Sequence, residues 1–224
     1  MSNIFVPNGI IIKLLFTQDI MSTTKPNKQR GRPPAFNHEE ALEKALQVFW
    51  LRGYEGASMA ELTEALGINR PSIYAAFGNK EELFRKALGK YLAGPVAYVT
   101  EAMNEPTSRQ VVKKFLTKSA ELLTNPNNPR GCMIVQGALS CGQGSELIQR
   151  ELIAHRKSYE GALRQRFELA QMQGDLPNSV NASDLAKYVA TIHQGMSVQA
   201  TSGATIEDLM AVVEVALKNW PASS

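Results

Sequence analysis

The sequence predicts an all-α protein built from two helical modules. Apolar residues recur at helical spacing along most of the chain, and no persuasive alternating strand pattern appears. Short polar residues that suit helix starts stand at Asn37, Ser58 and Asn79, spaced by 21 residues. With 224 residues, 44% apolar and 20% charged, the chain is globular in composition and can bury one core plus a small module.

The first 34 residues are expected to form a disordered leader and a basic arm. Ile10 to Phe16 resembles a signal segment only in its apolarity: no cationic stretch precedes it, Lys13 interrupts it and no small-residue cleavage site follows. Translation is expected to begin at Met21. The arm holds Lys25, Lys28, Arg30 and Arg32 without an acid. Residues 25–92 carry 11 Lys or Arg against 8 Glu, whereas 93–224 carry 12 of each sign, so the net +3 belongs to the first third. That asymmetry points to a polyanionic partner.

A first module is expected over 35–92. Asn37 with Glu40, Ser58 with Glu61 and Asn79 with Glu82 each fit a capping box, in which side chain and backbone satisfy each other's orphan groups. Behind the first cap, Leu42, Ala45, Leu46 and Phe49 form an apolar stripe ending near Gly53. Behind the second, Met59, Leu62 and Leu66 line one face until Gly67 stops the helix. Arg70 to Phe77 allows two helical turns, with Pro71 tolerated in the first. Phe84, Ala87, Leu88 and Tyr91 then stripe a fourth helix up to Gly94-Pro95.

The second module, 93–224, reads as a helical bundle. Val111–Leu123, Glu146–Met172, Ser183–Gln199 and Ile206–Trp220 carry the apolar periodicity. The rows Leu185, Val189, Ile192, Met196 and Ile206, Leu209, Val213, Ala216 are expected to bury against a second copy in a four-helix homodimer interface.

Helix, glycine turn and short helix over 58–77 have helix-turn-helix spacing. Ile73, Ala76 and Phe77 should face inward, leaving Arg70, Pro71, Ser72, Tyr74 and Ala75 on or near the open face. Arg70 carries the fork that pairs with guanine O6 and N7, while Ser58, Tyr74 and Lys80 suit phosphates, Ser58 and Lys80 from helix N-termini. The bare structural alternative is an αα corner in a bundle.

The stretch from Gly31 to Leu88 resembles the N-terminal domain of the TetR family of bacterial transcriptional regulators. The likeness rests on Phe49-x-x-x-Gly53-Tyr54, Gly67-Ile68-Asn69, Ile73-Tyr74 and Phe77-x-x-Lys80-x-x-Leu83. The resemblance implies a homodimeric repressor with three N-terminal helices for double-stranded operator DNA and a C-terminal domain for a small-molecule effector. It puts the DNA contacts on Arg70, Pro71, Ser72 and Tyr74, with Lys80 and Ser58 on phosphates. Many members have an aromatic residue after the tyrosine; here Ala75-Ala76 stands, and Ala75 offers at most a thymine-methyl contact. Arg30-Gly31-Arg32-Pro33 resembles the core of an AT-hook, whose Arg side chains suit a narrow A·T minor groove.

The remaining chemistry is sparse. His38, His155 and His193 have no neighbour at metal spacing, and there is no Gly-x-Ser-x-Gly or phosphate loop, so neither an enzyme nor a cofactor is expected. Cys132 and Cys141 are too few for a disulfide framework, which favours the cytoplasm. On one continuous helix they would stand about 13 Å apart, so buried thiols are expected rather than a redox pair. No run of about 18 apolar residues exists, which argues against a membrane partner. Candidate effector-pocket residues are Met133, Gln136, His155, Tyr159, Phe167 and Gln194. A ligand-released repressor is the expected function. A constitutive architectural DNA-binding dimer and a helical carrier or enzyme are its rivals.

Overall fold

The computed structural model describes residues 4–5, 11–12, 37–139 and 145–221. Within the leader, expected to be irregular, Ile4–Phe5 pairs antiparallel with Ile11–Ile12. Every other regular element described is a helix: α1 (His38–Gly56), α2 (Met59–Leu66), α3 (Arg70–Phe77), α4 (Lys80–Ala93) and α5 (Tyr98–Met103). The chain continues with α6 (Ser108–Leu123), α7 (Met133–Leu139), α8 (Glu146–Met172), α9 (Ala182–Thr201) and α10 (Ile206–Lys218). Helices α5 and α7 are the two that apolar periodicity did not reveal, because six or seven residues are too few to display a period.

The caps explain the helix starts. Ser58 with Glu61 and Asn79 with Glu82 close reciprocal boxes. The Asn37 box stays half made: its side chain accepts from the Glu39 and Glu40 N–H groups, but Glu40 pairs with Lys44 at 2.8 Å. Thr107 with Gln110 and Thr205 with Asp208 add two boxes that start α6 and α10. Gly53 leaves helical geometry at φ 70°, as the expected stop implied, yet α1 resumes for one turn to Gly56. That kink sets the Tyr54 ring edge-on to Phe84 at 5.3 Å.

The two modules are fused rather than merely adjoined. Helix α1 packs on α4 and α2 and also on α7, and one continuous apolar cluster runs from Ala41 to Trp220. In the second module α8 packs on α7 and α9, and α10 lies on α6 and α9. The Trp220 indole closes the far end, donating to Ser108 Oγ at 3.1 Å and resting on Phe167.

One expectation is corrected here. Leu185, Val189, Met196, Leu209, Val213 and Ala216 are buried inside the protomer and do not form a surface for a second copy. The bundle has a single core to fill, so the strongest apolar rows of α9 and α10 go inward. Of the expected rows Ile192 is half-buried and Ile206 stays outside at 38% exposure, together with Tyr188 at 44%, Val198 at 45%, Val212 at 41% and Val215 at 60%.

Gly78 fixes the corner between α3 and α4. It adopts φ 82°, and a Cβ there would collide with the Glu82 carboxylate that caps the Asn79 N–H. Gly78→Ala should therefore lower the unfolding free energy by about 1–3 kcal/mol, through a left-handed alanine and a displaced cap. Chemical denaturation of the two proteins measures the difference.

Candidate nucleic-acid interface and ligand cavity

Helices α2 and α3 meet through Gly67, which takes the left-handed conformation at φ 68° and lets its N–H end α2. Asn69 caps α3 by accepting from the Ser72 N–H at 2.9 Å. Ile73 and Phe77 are buried and Ala76 is half-buried, so Arg70, Pro71, Ser72, Tyr74 and Ala75 share the exposed side. The short helix thus presents one cation, two hydroxyls and a small apolar residue on an open convex face. Phe77 anchors it from below, with the His38 ring packed on its edge at 5.4 Å.

Lys80 begins α4 beside this face. Its Nζ lies 4.5 Å from the centre of the Tyr54 ring, so the Gly53-Tyr54 kink holds the ammonium in place. Burial lowers its pKa, and Glu55 opposes that shift. Ser58 stands at the N-terminus of α2, where the sequence put it. Its Oγ is exposed but already accepts from the Glu61 N–H and donates to the Glu61 carboxylate. Arg30 and Arg32 lie outside the described residues, as does Cys141.

A cavity of about 80 Å³ opens within the second module, beyond the end of α4. Its wall includes Tyr98, Phe115, Cys132, His155, Tyr159 and His193. Leu92 and Val96 bring the end of α4 and the following turn to the same wall. Of the six candidate pocket residues, His155 and Tyr159 line this cavity. Gln194 stands behind it and donates to Tyr159 Oη at 3.1 Å. Met133, Gln136 and Phe167 are not on this wall. Gln136 donates to Ser197, Phe167 is spent on Trp220, and Met133 is buried at the start of α7.

Charge is kept off the wall. Burial pushes the His193 imidazole down to about 4 and the Tyr159 phenol up to about 12, and it raises Tyr98 as well. Burial also lowers His155, against the pull of Glu151. The Cys132 thiol is held up by burial too, which fits the buried thiol expected from the sequence. Sequence reasoning missed Tyr98, Phe115, Cys132 and His193 as cavity residues: Tyr98 lies in the short α5 and Cys132 just before α7, where no period shows, while Phe115 and His193 sit on apolar faces that read as core.

A buried seam joins the cavity to the helix-turn-helix module. Trp50 Nε1 donates to the Gly131 carbonyl at 2.8 Å, and its ring meets Tyr91 edge-on at 4.7 Å. Tyr91 donates its hydroxyl proton to Cys132 Sγ at 3.5 Å, and Cys132 is on the cavity wall. Arg85 pairs with Glu151 at 3.0 Å, and Ser145 donates to Glu55. Helix α4 is thus one of several links between the two modules. It runs on to Ala93, and Lys90 near its end pairs with Glu39 and Glu43 of α1.

The arrangement is that of a helix-turn-helix regulatory protein with a helical second domain. Residues 41–87 match the bacterial regulatory proteins of the tetR family, and 108–212 match the tetracyclin repressor-like C-terminal domain. The chain belongs to the TetR family. It is 33% identical to the HTH-type transcriptional repressor ComR of Escherichia coli K12, over 89% of this chain and 96% of that protein. It is 30% identical to the repressor BdcR of the same organism, over 88% and 95%. A cysteine-substituted TetR family regulator CifR, solved in complex with 26 bp double-strand operator DNA, superposes with a TM-score of 0.81. The identity there is 42%, covering 85% of this chain and all of that one.

The seam can be tested alone. Trp50→Phe keeps most of the ring but strands the buried Gly131 carbonyl, at a cost of about 1–3 kcal/mol. Thermal or chemical unfolding should show that loss.

Proposed function

We propose that this protein is a transcriptional repressor. In this reading a homodimer binds a palindromic double-stranded operator and releases it when a small-molecule effector enters the cavity between α4 and α8. The observation that carries the reading is the buried seam: the cavity wall at Cys132 and the helix-turn-helix module at Trp50 and Tyr91 share hydrogen bonds. The repressor names of ComR and BdcR and the operator in the CifR complex support the same reading.

Arg70 reads bases and Pro71, Ser72 and Tyr74 complete the contact, while Lys80 and Ser58 approach phosphates. For Ser58 this requires the hydroxyl to share itself with Glu61. Arg30 and Arg32 of the arm enter the neighbouring minor groove. Arg70→Ala should cost about 1–3 kcal/mol of operator affinity and relax preference at one base pair. Lys80→Ala should weaken all sequences nearly alike and flatten the salt slope by about one unit. Binding isotherms across salt, on sites selected from random DNA, separate the two. Identical behaviour of both variants contradicts the assignment.

The dimer is built on the outer face of α9 and α10, around Tyr188, Val198, Val212 and Val215. These are large apolar side chains exposed on adjacent helices, and a two-fold contact buries each of them twice. Val215→Glu, at a solvent-facing position, should give a folded monomer in sedimentation. A folded Val215→Glu dimer would place the interface elsewhere. Effector release has its own thermodynamic test. If the effector weakens operator binding, the operator must weaken effector binding by the same factor. Equal effector affinity with and without operator would instead indicate constitutive DNA binding.

A further inference from the structure

The chemistry of the wall restricts what can occupy the cavity. Among the described residues that line it there is no Asp, Glu, Lys or Arg. The titratable groups present, His155, His193, Tyr98, Tyr159 and Cys132, are shifted by burial toward their uncharged forms. A charged ligand would lose its hydration and find no counter-ion there. Size is limited as well. At about 80 Å³ the cavity is about half the apolar space of roughly 150 Å³ known to accept benzene, so a single ring already requires its wall to give, and one ring is the upper bound.

One polar atom asks for a partner. His193 is buried, and its Nδ1 has no hydrogen-bond partner. The rings of Phe115 and Tyr159 pack around it at 5.3 and 5.5 Å, and neither supplies a bond to that nitrogen. Buried polar groups left unpaired in a folded protein point to a missing water or ligand. Gln194 already holds the Tyr159 hydroxyl, and among the described buried side-chain nitrogens and oxygens His193 Nδ1 is the one on this wall without a partner.

We infer that the cavity takes an uncharged, largely apolar molecule no larger than about one six-membered ring, carrying one group that hydrogen-bonds His193. This rests on the reading of the cavity as the effector site. The ligand fills the space between Phe115, Tyr159 and the α4 end at Leu92 and Val96. Its polar group meets the imidazole. The rival occupant is a carboxylate that draws in Arg156, whose charge is felt at Cys132 and Tyr159 although it does not line the wall.

Four probes of similar size decide the matter: phenol, toluene, benzoate and benzylammonium, titrated calorimetrically into the full-length protein. Phenol should bind about tenfold more tightly than toluene, by the hydrogen bond to His193. Benzoate and benzylammonium should bind at least about a hundredfold more weakly than phenol. His193→Leu should bring phenol down to the affinity of toluene. Ser158→Phe, which fills the cavity from α8, should abolish both and guards against a misfolded His193→Leu protein. Benzoate binding on a par with phenol, phenol binding undiminished in Ser158→Phe, or no binding of any probe overturns the inference. Operator affinity is read separately by fluorescence anisotropy. Phenol bound in the predicted manner without operator release supports the ligand class and sinks the effector reading instead.

Discussion

The Trp50 indole N–H is buried where α1 meets the chain just before α7, and the Gly131 carbonyl is the partner that takes it. A buried donor without a partner costs more than a typical hydrogen bond contributes, so this contact commits the two modules to one relative position. Gly131 accepts the arrangement because it sits at φ 86°, and a Cβ there would press on the Thr201 methyl at 2.6 Å. The same few residues hold Cys132, whose N–H donates to Ser197 Oγ of α9 at 2.9 Å. First helix, cavity wall and α9 are therefore tied through a single short segment.

That segment gives the cavity and the helix-turn-helix a shared packed connection. Interiors packed around shared hydrogen bonds transmit a displacement in preference to absorbing it. A molecule seated against Cys132 lies one hydrogen bond from Tyr91 in α4 and one ring contact further from Trp50 in α1. Helices α1 and α4 are the elements on which the helix-turn-helix rests, since α4 carries Lys80 and Phe84 while α1 carries Phe49 and the kink at Gly53. The exposed ion pair of Arg85 with Glu151 adds a weaker tie, of the kind that contributes little by itself.

The polar economy of the second module runs the same way. Arg166 is buried on α8, yet one of its guanidinium nitrogens donates to the carbonyls of Glu105 and Pro106. It thereby fixes the loop before α6. Asp175 accepts from the Ser108 N–H across from it, at 2.6 Å. These bonds brace one end of the bundle, while the cavity occupies the end nearer α4, where aromatic rings and neutral histidines replace such braces.

Much of this was legible in the residues. Capping pairs, glycine stops and helical stripes located eight of the ten helices among the described residues, and the burial of Ile73 and Phe77 with exposure of Arg70 and Tyr74 followed from period alone. These are local properties: a cap, a left-handed glycine and one face of a helix are determined within a few residues. What required the tertiary structure was every question of which apolar face meets which neighbour. Leu185, Val189, Leu209 and Val213 looked available to a second copy, and only the packed bundle shows that the protomer consumes them. The cavity was legible only at His155 and Tyr159 of α8, for the same reason: Tyr98, Phe115, Cys132 and His193 join them from four other segments. Periodicity says that a residue is buried. Only the assembled helices decide whether it is buried against a partner helix, a second protomer or an empty space.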